Sequence, residues 1–383
     1  MSDDLTWDVI VVGAGPAGAM AALEAAQAGA QVLLVEREAL PRYKLCGGGL
    51  IGLTLRSLPD NFPVPALNQA RSAIFTSNLG PARSRTADEV IIPMVMRDTF
   101  DAQLVQTAVD HGAQLRTQVL VERVEPRRDE VIVQTKSGAL RATVVIGADG
   151  STSRVARAAG ATFAQVDLGL EVEVEVPEQI QQEWAGQVMI DFGRIPGGYA
   201  WIFPKGDRLT VGAIAAKGYA DEQRRYVEDL LQRFDLAQLP RAVTAGHLTR
   251  CRTNDSPLAK DRLLLAGDAA GLLEPWTREG ISFALRSGRL AGRTAAAVAL
   301  GRQPWSTAAE QYRDAVTSTL GAEMSVGFQA LAAYRRHPGA FARALTGTAP
   351  GWRSFVRLAR GETTLARAGH KPQVRFALAA LSR

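Results

Sequence analysis

The first strongly patterned stretch of the chain is Trp7–Val12, an apolar, β-branched run that reads as a buried strand. The turn Gly13-Ala14-Gly15-Pro16-Ala17-Gly18 follows at once and opens an Ala-rich stretch that predicts a helix through Ala28. After Gly29 a second apolar run, Gln31–Val35, completes a βαβ unit. Residues 37–95 are rich in Gly and Pro and read as irregular. Beyond them the pattern predicts a helix over Thr99–His111 and strands over Gln118–Val124, Val131–Thr135 and Thr143–Ile146. Alternation in Gly169–Val176, Gln187–Phe192, Tyr199–Phe203 and Leu209–Ala215 predicts an antiparallel sheet. Arg262–Ala266 reads as another buried strand, the chain turns helical from Gly280, and beyond about Thr307 it is helix with breaks. The sequence holds no internal repeat and no low-complexity segment.

These elements predict an interleaved α/β layout. Residues 1–70, 95–165 and 250–305 build a discontinuous, Rossmann-like dinucleotide domain, residues 71–94 and 166–249 an antiparallel-sheet substrate domain, and residues 306–383 a C-terminal helical region. Composition fits: 46% hydrophobic and 22% charged residues over 383 positions can bury a sizeable core. Two cysteines, Cys46 and Cys251, make no disulfide framework and suit a reducing cytoplasm. The acidic opening Met-Ser-Asp-Asp predicts no secretory leader, and the apolar runs are too short or too broken to span a bilayer. No metal-ligand set is read. The net charge of +5 is uneven, because Leu331–Arg383 holds ten Lys or Arg against one acid, Glu362. With Trp352, Phe355 and Phe376 among those bases, the tail reads either as a contact for an anionic membrane surface or as a solvated Arg-rich helical face. No nucleic-acid module accompanies the charge.

The glycine turn carries the first chemistry. Gly13 permits the tight turn, Gly15 lets backbone approach a pyrophosphate, and Gly18 packs helix on strand. The helix beginning at Pro16 and Ala17 offers free N–H groups and a positive dipole end to phosphates. Glu36 closes the second strand, 18 residues after Gly18, where a carboxylate accepts from ribose hydroxyls. An acid there argues against a 2′-phosphate and leaves FAD or NAD. Two further segments favour FAD. Arg262–Gly271, a strand ending in Gly267-Asp268, resembles the second flavin fingerprint of the large family that includes para-hydroxybenzoate hydroxylase. Val144–Arg154, with Asp149-Gly150, is similar to the same family's Asp-Gly motif. That resemblance implies that Asp268 holds the ribityl chain, that Gly280-Ile281 opens a helix aimed at the flavin O2 side, and that Asp149 and Arg154 shape the loop beneath the flavin.

Branches of that superfamily differ in detail. Hydroxylases carry His after Gly-Asp-Ala-Ala, where this chain has Gly271, and halogenases rely on an early lysine, whereas no lysine lies between Lys44 and Lys136. Four stretches resemble the geranylgeranyl reductase family: Lys44-Leu45-Cys46-Gly47-Gly48-Gly49-Leu50, Arg97-Asp98-Thr99-Phe100-Asp101, Pro196–Lys205 with its Tyr199-x-Trp201-x-Phe203-Pro204, and Gly267–Ile281. The last departs from the family pattern by placing Arg278 where a glycine is usual, a cation beside the flavin's pyrimidine end. The resemblance implies hydride delivery from reduced FAD to an isolated carbon–carbon double bond of a polyprenyl lipid or related polyene, with NAD(P)H or reduced ferredoxin as electron donor. It implies cofactor contacts from Cys46, Gly47, Gly49, Arg97 and the Val121 backbone, and a catalytic role for Cys46. It also makes Tyr199 and Trp201 the flanks of a hydrophobic isoprenoid-type substrate, where the residues alone read equally as buried core aromatics. The alternative is an FAD-dependent monooxygenase of a biosynthetic pathway, which shares the fold and needs O2. A non-catalytic flavoprotein docked on membranes is the third reading.

Overall fold

The computed structural model describes residues 6–371 and Val374; Phe376 lies outside them. Thr6–Val12 forms strand β1, in which Trp7 and Val9 to Val12 are buried, as an inner parallel strand covered on both faces requires. Helix α1 (Pro16–Gln27) and β2 (Val32–Val35) complete the expected βαβ unit. Residues 37–95, read as irregular, instead carry α2 (Thr54–Ser57) and four strands, β3 (Ala66–Ala70), β4 (Ser72–Ser77), β5 (Arg83–Thr86) and β6 (Ile92–Val95). They escape a pattern reading because they are four to six residues long and β5 is almost wholly exposed.

The predicted middle helix is α3 (Arg97–Asp110), followed by β7 (Gln114–Arg116), β8 (Val121–Pro126), β9 (Val131–Thr135), β10 (Gly138–Gly147) and α4 (Arg154–Ala159). Then come β11 (Phe163–Glu175), α5 (Glu178–Trp184), β12 (Gln187–Phe192), β13 (Tyr199–Lys205), β14 (Arg208–Ala216), α6 (Ala220–Arg233) and β15 (Arg241–Arg252). The last part of the chain forms β16 (Ala259–Lys260), β17 (Leu263–Leu265), α7 (Ile281–Ala299), α8 (Trp305–Val316), α9 (Ala322–Arg336), α10 (Pro338–Thr346), α11 (Ala349–Ala359) and α12 (Leu365–Gly369). Strand β15 was not announced by the hydrophobic pattern, since most of its residues are exposed or only half-buried.

Two large sheets result. The first runs β16-β17-β10-β1-β2-β7, parallel from β17 to β7, with β9 and β8 attached antiparallel beyond β10. Strands from both ends of the sequence thus meet in one sheet, which brings the Gly13 turn, the end of β10 and the Gly267-Asp268 segment to the same edge. Helix α7 packs tightly on α1: a Cβ at Gly288 would stand 2.2 Å from the Ala17 carbonyl oxygen, and one at Gly292 2.3 Å from that of Ala21.

The second sheet runs β15-β11-β14-β13-β12-β4-β5 and is antiparallel apart from the parallel pair β12–β4. One face presents Val172, Val174, Leu209, Val211, Ala213 and Ile202 to Tyr226, Leu230 and Leu231 of α6. The register stacks the other face in rows, His247–Gly169–Ile214–Tyr199, then Ala245–Glu171–Gly212–Trp201, then Val243–Glu173–Thr210–Phe203. This face looks onto the edge of the first sheet. No helix among the described residues is long and apolar enough to cross a membrane.

Candidate active site

Gly15 is the N-cap of α1, and no side chain caps that end, so its first-turn N–H groups face the cavity described below. A Cβ at Gly18 would stand 1.8 Å from the Gly13 carbonyl oxygen, so the turn and the helix close only around glycine. Glu36, at the end of β2, is buried; its Oε2 accepts from the Ala14 N–H at 2.8 Å and lies 3.5 Å from Arg42 Nε. Arg42 reaches on to Asp101 at 3.1 Å, and Asp101 holds Arg97 at 2.7 and 2.9 Å. Burial opposes the charge on Arg97, but that carboxylate and the neighbouring Cys46 thiol outweigh it and raise its pKa.

Asp149 spends its carboxylate on its own loop, accepting from Ser153 Oγ and, at 2.7 Å, from the Arg154 N–H. Arg154 donates to the Glu122 carbonyl at 3.1 Å, next to Val121, which opens β8. Asp268 faces the same space from beyond β17. Burial works against its ionisation, yet His247 at 4.0 Å, Lys44 and Arg97 outweigh that and hold its carboxyl below the usual range. Burial, with Arg97 alongside, lowers the Lys44 ammonium to about 8. Gly280 is the N-cap of α7 and Ile281 its first residue, with Glu279 accepting from the Ser282 N–H at 2.6 Å. Burial pushes the Glu279 carboxyl up to about 8.

Except for Ala14, Gly18, Asp101, Glu122 and Ser153, these groups line one cavity of about 1080 Å³, and so do Pro16, Ala17, Cys46, Gly47, Gly49, Tyr199 and Trp201. Of the site residues expected from the sequence, all but Gly18 line this single space; Gly18 instead packs against the Gly13 carbonyl. The aromatic stripe Tyr199, Trp201 and Phe203 forms its far wall, with successive ring centroids 5.9 and 6.1 Å apart. Tyr199 donates to the Thr277 carbonyl, and burial raises its pKa far above that of a free phenol. Trp201 leans over β14 because Gly212 is there: a Cβ at 212 would meet the indole at 2.3 Å. Cys46 is half-buried; its Sγ accepts from the Gly48 N–H at 3.4 Å, and Lys205 Nζ donates to its carbonyl at 2.7 Å. Cys251 is buried with its Sγ 3.6 Å from the Leu273 carbonyl.

Arg278, expected as a cation beside the pyrimidine end, is neutralised. Its Nε lies 3.1 Å from Asp167 and its Nη1 2.6 Å from the Trp276 carbonyl, both charges being buried. Its φ of 56° is left-handed, a conformation that glycine adopts without strain and arginine does not.

Sequence reasoning missed Arg42, Lys44, His247 and the two acids Glu171 and Glu173. His247 lies on the unannounced strand β15, and its buried Nε2 lies 4.0 Å from Asp268 Oδ2, beyond hydrogen-bond distance. The acids do sit in a recognised alternating segment, and that alternation was the available signal; nothing in it says that the polar face is covered.

Parallel sheet, glycine turn at an uncapped helix end, acid at the end of β2 and Gly-Asp at a second strand end define a dinucleotide-binding flavoprotein. The residues present fit FAD: the uncapped α1 N-terminus, Glu36 and Asp268 all line the one cavity, where a pyrophosphate and hydroxyl-bearing chains find donors and acceptors. Comparison with known proteins agrees. Residues 6–315 match the family model of the FAD binding domain. The chain is 31% identical to digeranylgeranylglycerophospholipid reductase 3 of Methanosphaera stadtmanae, over 82% of this chain and 83% of that one. It is 33% identical to digeranylgeranylglycerophospholipid reductase 2 of Methanopyrus kandleri, over 76% and 77%. The chain belongs to this family of FAD-dependent oxidoreductases. Among solved structures, a geranylgeranyl bacteriochlorophyll reductase-like protein of Thermoplasma acidophilum superposes with a TM-score of 0.79 at 20% identity, covering 98% of this chain and 99% of that one. A flavin-dependent brominase gives 0.76 at 20% identity, over 98% and 97%. Both share the fold.

Proposed function

We propose that the protein reduces isolated carbon–carbon double bonds of a polyprenyl lipid of the geranylgeranyl type. The observation that carries this reading is the continuity of one cavity from the Gly13 turn and Asp268 to the Tyr199–Trp201–Phe203 wall and on to Phe355, Leu358 and Leu365. A long apolar chain fits such a space. Bound FAD, once reduced, supplies hydride to the double bond.

In this reading the α1 N-terminus with Gly13, Gly15, Pro16, Ala17 and Gly18 holds the pyrophosphate, and Glu36 takes the adenosine ribose. The Val121 backbone meets the adenine, while Arg97, Asp268, Gly280 and Ile281 seat the rest of the flavin. Asp149 and Arg154 keep the loop beneath it in shape. The loop Cys46–Gly49 lies on the flavin's substrate side, with Cys46 closing the reacting position. Tyr199 and Trp201 flank the alkene and face any positive charge that develops on it. Residues 71–94 together with 166–249 act as the substrate unit. Electrons come from NAD(P)H or reduced ferredoxin acting transiently.

We place the protein in lipid biosynthesis at a cytoplasmic membrane surface. Arg353 and Arg357 of α11 are exposed, and they suit anionic headgroups. Trp352 and Phe355 turn inward onto Phe75, so the contact rests on charge more than on inserted rings. The test is anaerobic incubation of the reduced holoenzyme with geranylgeranyl lipids. The expected product gains two hydrogens per bond; a product that gains oxygen and forms only in air identifies the monooxygenase instead.

A further inference from the structure

An isolated alkene accepts hydride only when a proton arrives at its other carbon, so a prenyl reductase needs an acid at the reacting bond. The polar face of the second sheet holds two candidates two residues apart. Glu173 is fully engaged: Lys205 Nζ lies 3.2 Å from its Oε1, and Thr210 Oγ1 donates to its Oε2 at 2.9 Å. Glu171 is not. Its Oε1 accepts the Cys46 N–H at 3.2 Å, while Oε2 is buried without a hydrogen-bond partner, and the residue lines the cavity. The register sets Glu171 opposite Gly212 and Gly212 opposite Trp201, so acid and indole share one row on one face. They are separated by two inter-strand steps, about 10 Å of backbone, and the indole crosses that gap over Gly212. Trp201 Nε1 is likewise buried without a partner. Two unsatisfied polar atoms therefore border the space between the Cys46 loop and the aromatic wall, where buried polar groups are ordinarily paired.

We infer that Glu171 is the proton donor of the reduction, a step that rests on the reductase reading above. The alkene π bond breaks, hydride from the reduced flavin forms one new C–H bond and the Glu171 proton forms the other. Glu171 is left as a carboxylate and regains its proton from water. The surroundings support an acid that holds its proton near neutrality. Burial first, and the neighbouring Glu173 charge next, overcome the pull of Lys205, Lys44 and the Cys46 N–H and push the Glu171 carboxyl up to about 7. Tyr43 faces it from the loop, and burial with the two glutamates raises its pKa well above normal, so it stays neutral. Lys205 donates to the Cys46 carbonyl and to Glu173, so it opposes the Glu171 proton by its charge and not by a hydrogen bond. Cys46 becomes a positioning residue, since its backbone N–H orients the acid.

The test compares wild-type holoenzyme with Glu171→Gln and Glu171→Asp, using anaerobic turnover and infrared titration of buried carboxyl groups. The wild type is expected to show a protonated-carboxyl band that vanishes as pH rises through about 7, absent from Glu171→Gln, with turnover lost along the same limb. Glu171→Gln is expected to keep FAD and its reduction by dithionite but to lose turnover by about a hundredfold or more. Retention of turnover within threefold, or an unchanged infrared titration, overturns the assignment. Should Glu171→Gln lose FAD, Glu171→Asp decides: a displaced pH limb supports the donor role and an unmoved limb refutes it. Failure of the reductase reading looks different, because the wild type then adds no hydrogens while its band still titrates.

Discussion

Strand β1 of the first sheet is apolar on both faces, whereas β11 of the second puts valines on one face and acids on the other. The charges around the first sheet largely satisfy one another, as in the chain Glu36–Arg42–Asp101–Arg97. The second sheet leaves Glu171 Oε2, Trp201 Nε1 and Thr249 Oγ1 buried without hydrogen bonds. A charge network that is complete in itself is a rigid holder; a face with free polar atoms is a surface awaiting a ligand. In the proposed reading, binding and chemistry are divided between the two sheets.

That division can be broken most severely at the buried ion pair Arg97–Asp101 of the first sheet. Asp101→Ala leaves the Arg97 guanidinium buried and uncompensated, and is expected to cost about 3–5 kcal/mol in denaturant unfolding, with loss of bound FAD. Gly18→Ala is expected to cost about 3 kcal/mol, because its Cβ meets backbone that cannot retreat, and to yield colourless protein on purification. Gly212→Ala sharpens the contrast. It should displace the Trp201 indole at about 1–3 kcal/mol, keep FAD, and lower turnover with lipid about tenfold. If it removed FAD instead, the two sheets would not be separable in role.

The raised carboxyls predict a pH effect of known sign. Between their ordinary value of 4.5 and about 7 for Glu171 or about 8 for Glu279, the folded chain binds more protons than the unfolded one. Stability contributed by these groups is therefore present at low pH and lost as pH rises through that window. Unfolding midpoints of apoprotein at about pH 5 and about pH 9 should differ less in Glu279→Gln than in wild type. The smallest effect belongs to the exposed pair Arg241–Glu228 on the far side of the second sheet, where Glu228→Ala should change stability by about 0.2–1 kcal/mol and leave turnover unaltered.

The flavin half was legible because its parts are local. A turn needing Gly13, Gly15 and Gly18, an acid at a strand end and a Gly-Asp after an apolar run are each written in a few consecutive residues. Helix limits drifted by a residue or two, and the strands between residues 66 and 95 went unread because short, exposed strands carry almost no period. The Arg278 charge was visible in the chain, but its neutralisation by Asp167, 111 positions away, was not.

The order of residues alone was enough to specify the dinucleotide turn, the alternation of β11 to β14 and the aromatic stripe, since backbone sterics and period-two geometry act over a few positions. Folding in three dimensions decided that the acid-bearing face is covered instead of wet, that Gly212 lets Trp201 reach toward Glu171, and that Lys205 hydrogen-bonds Glu173 and leaves Glu171 Oε2 without such a partner. Those outcomes depend on which distant strand comes to lie alongside, and the removal of water that follows changes what a carboxyl group can do.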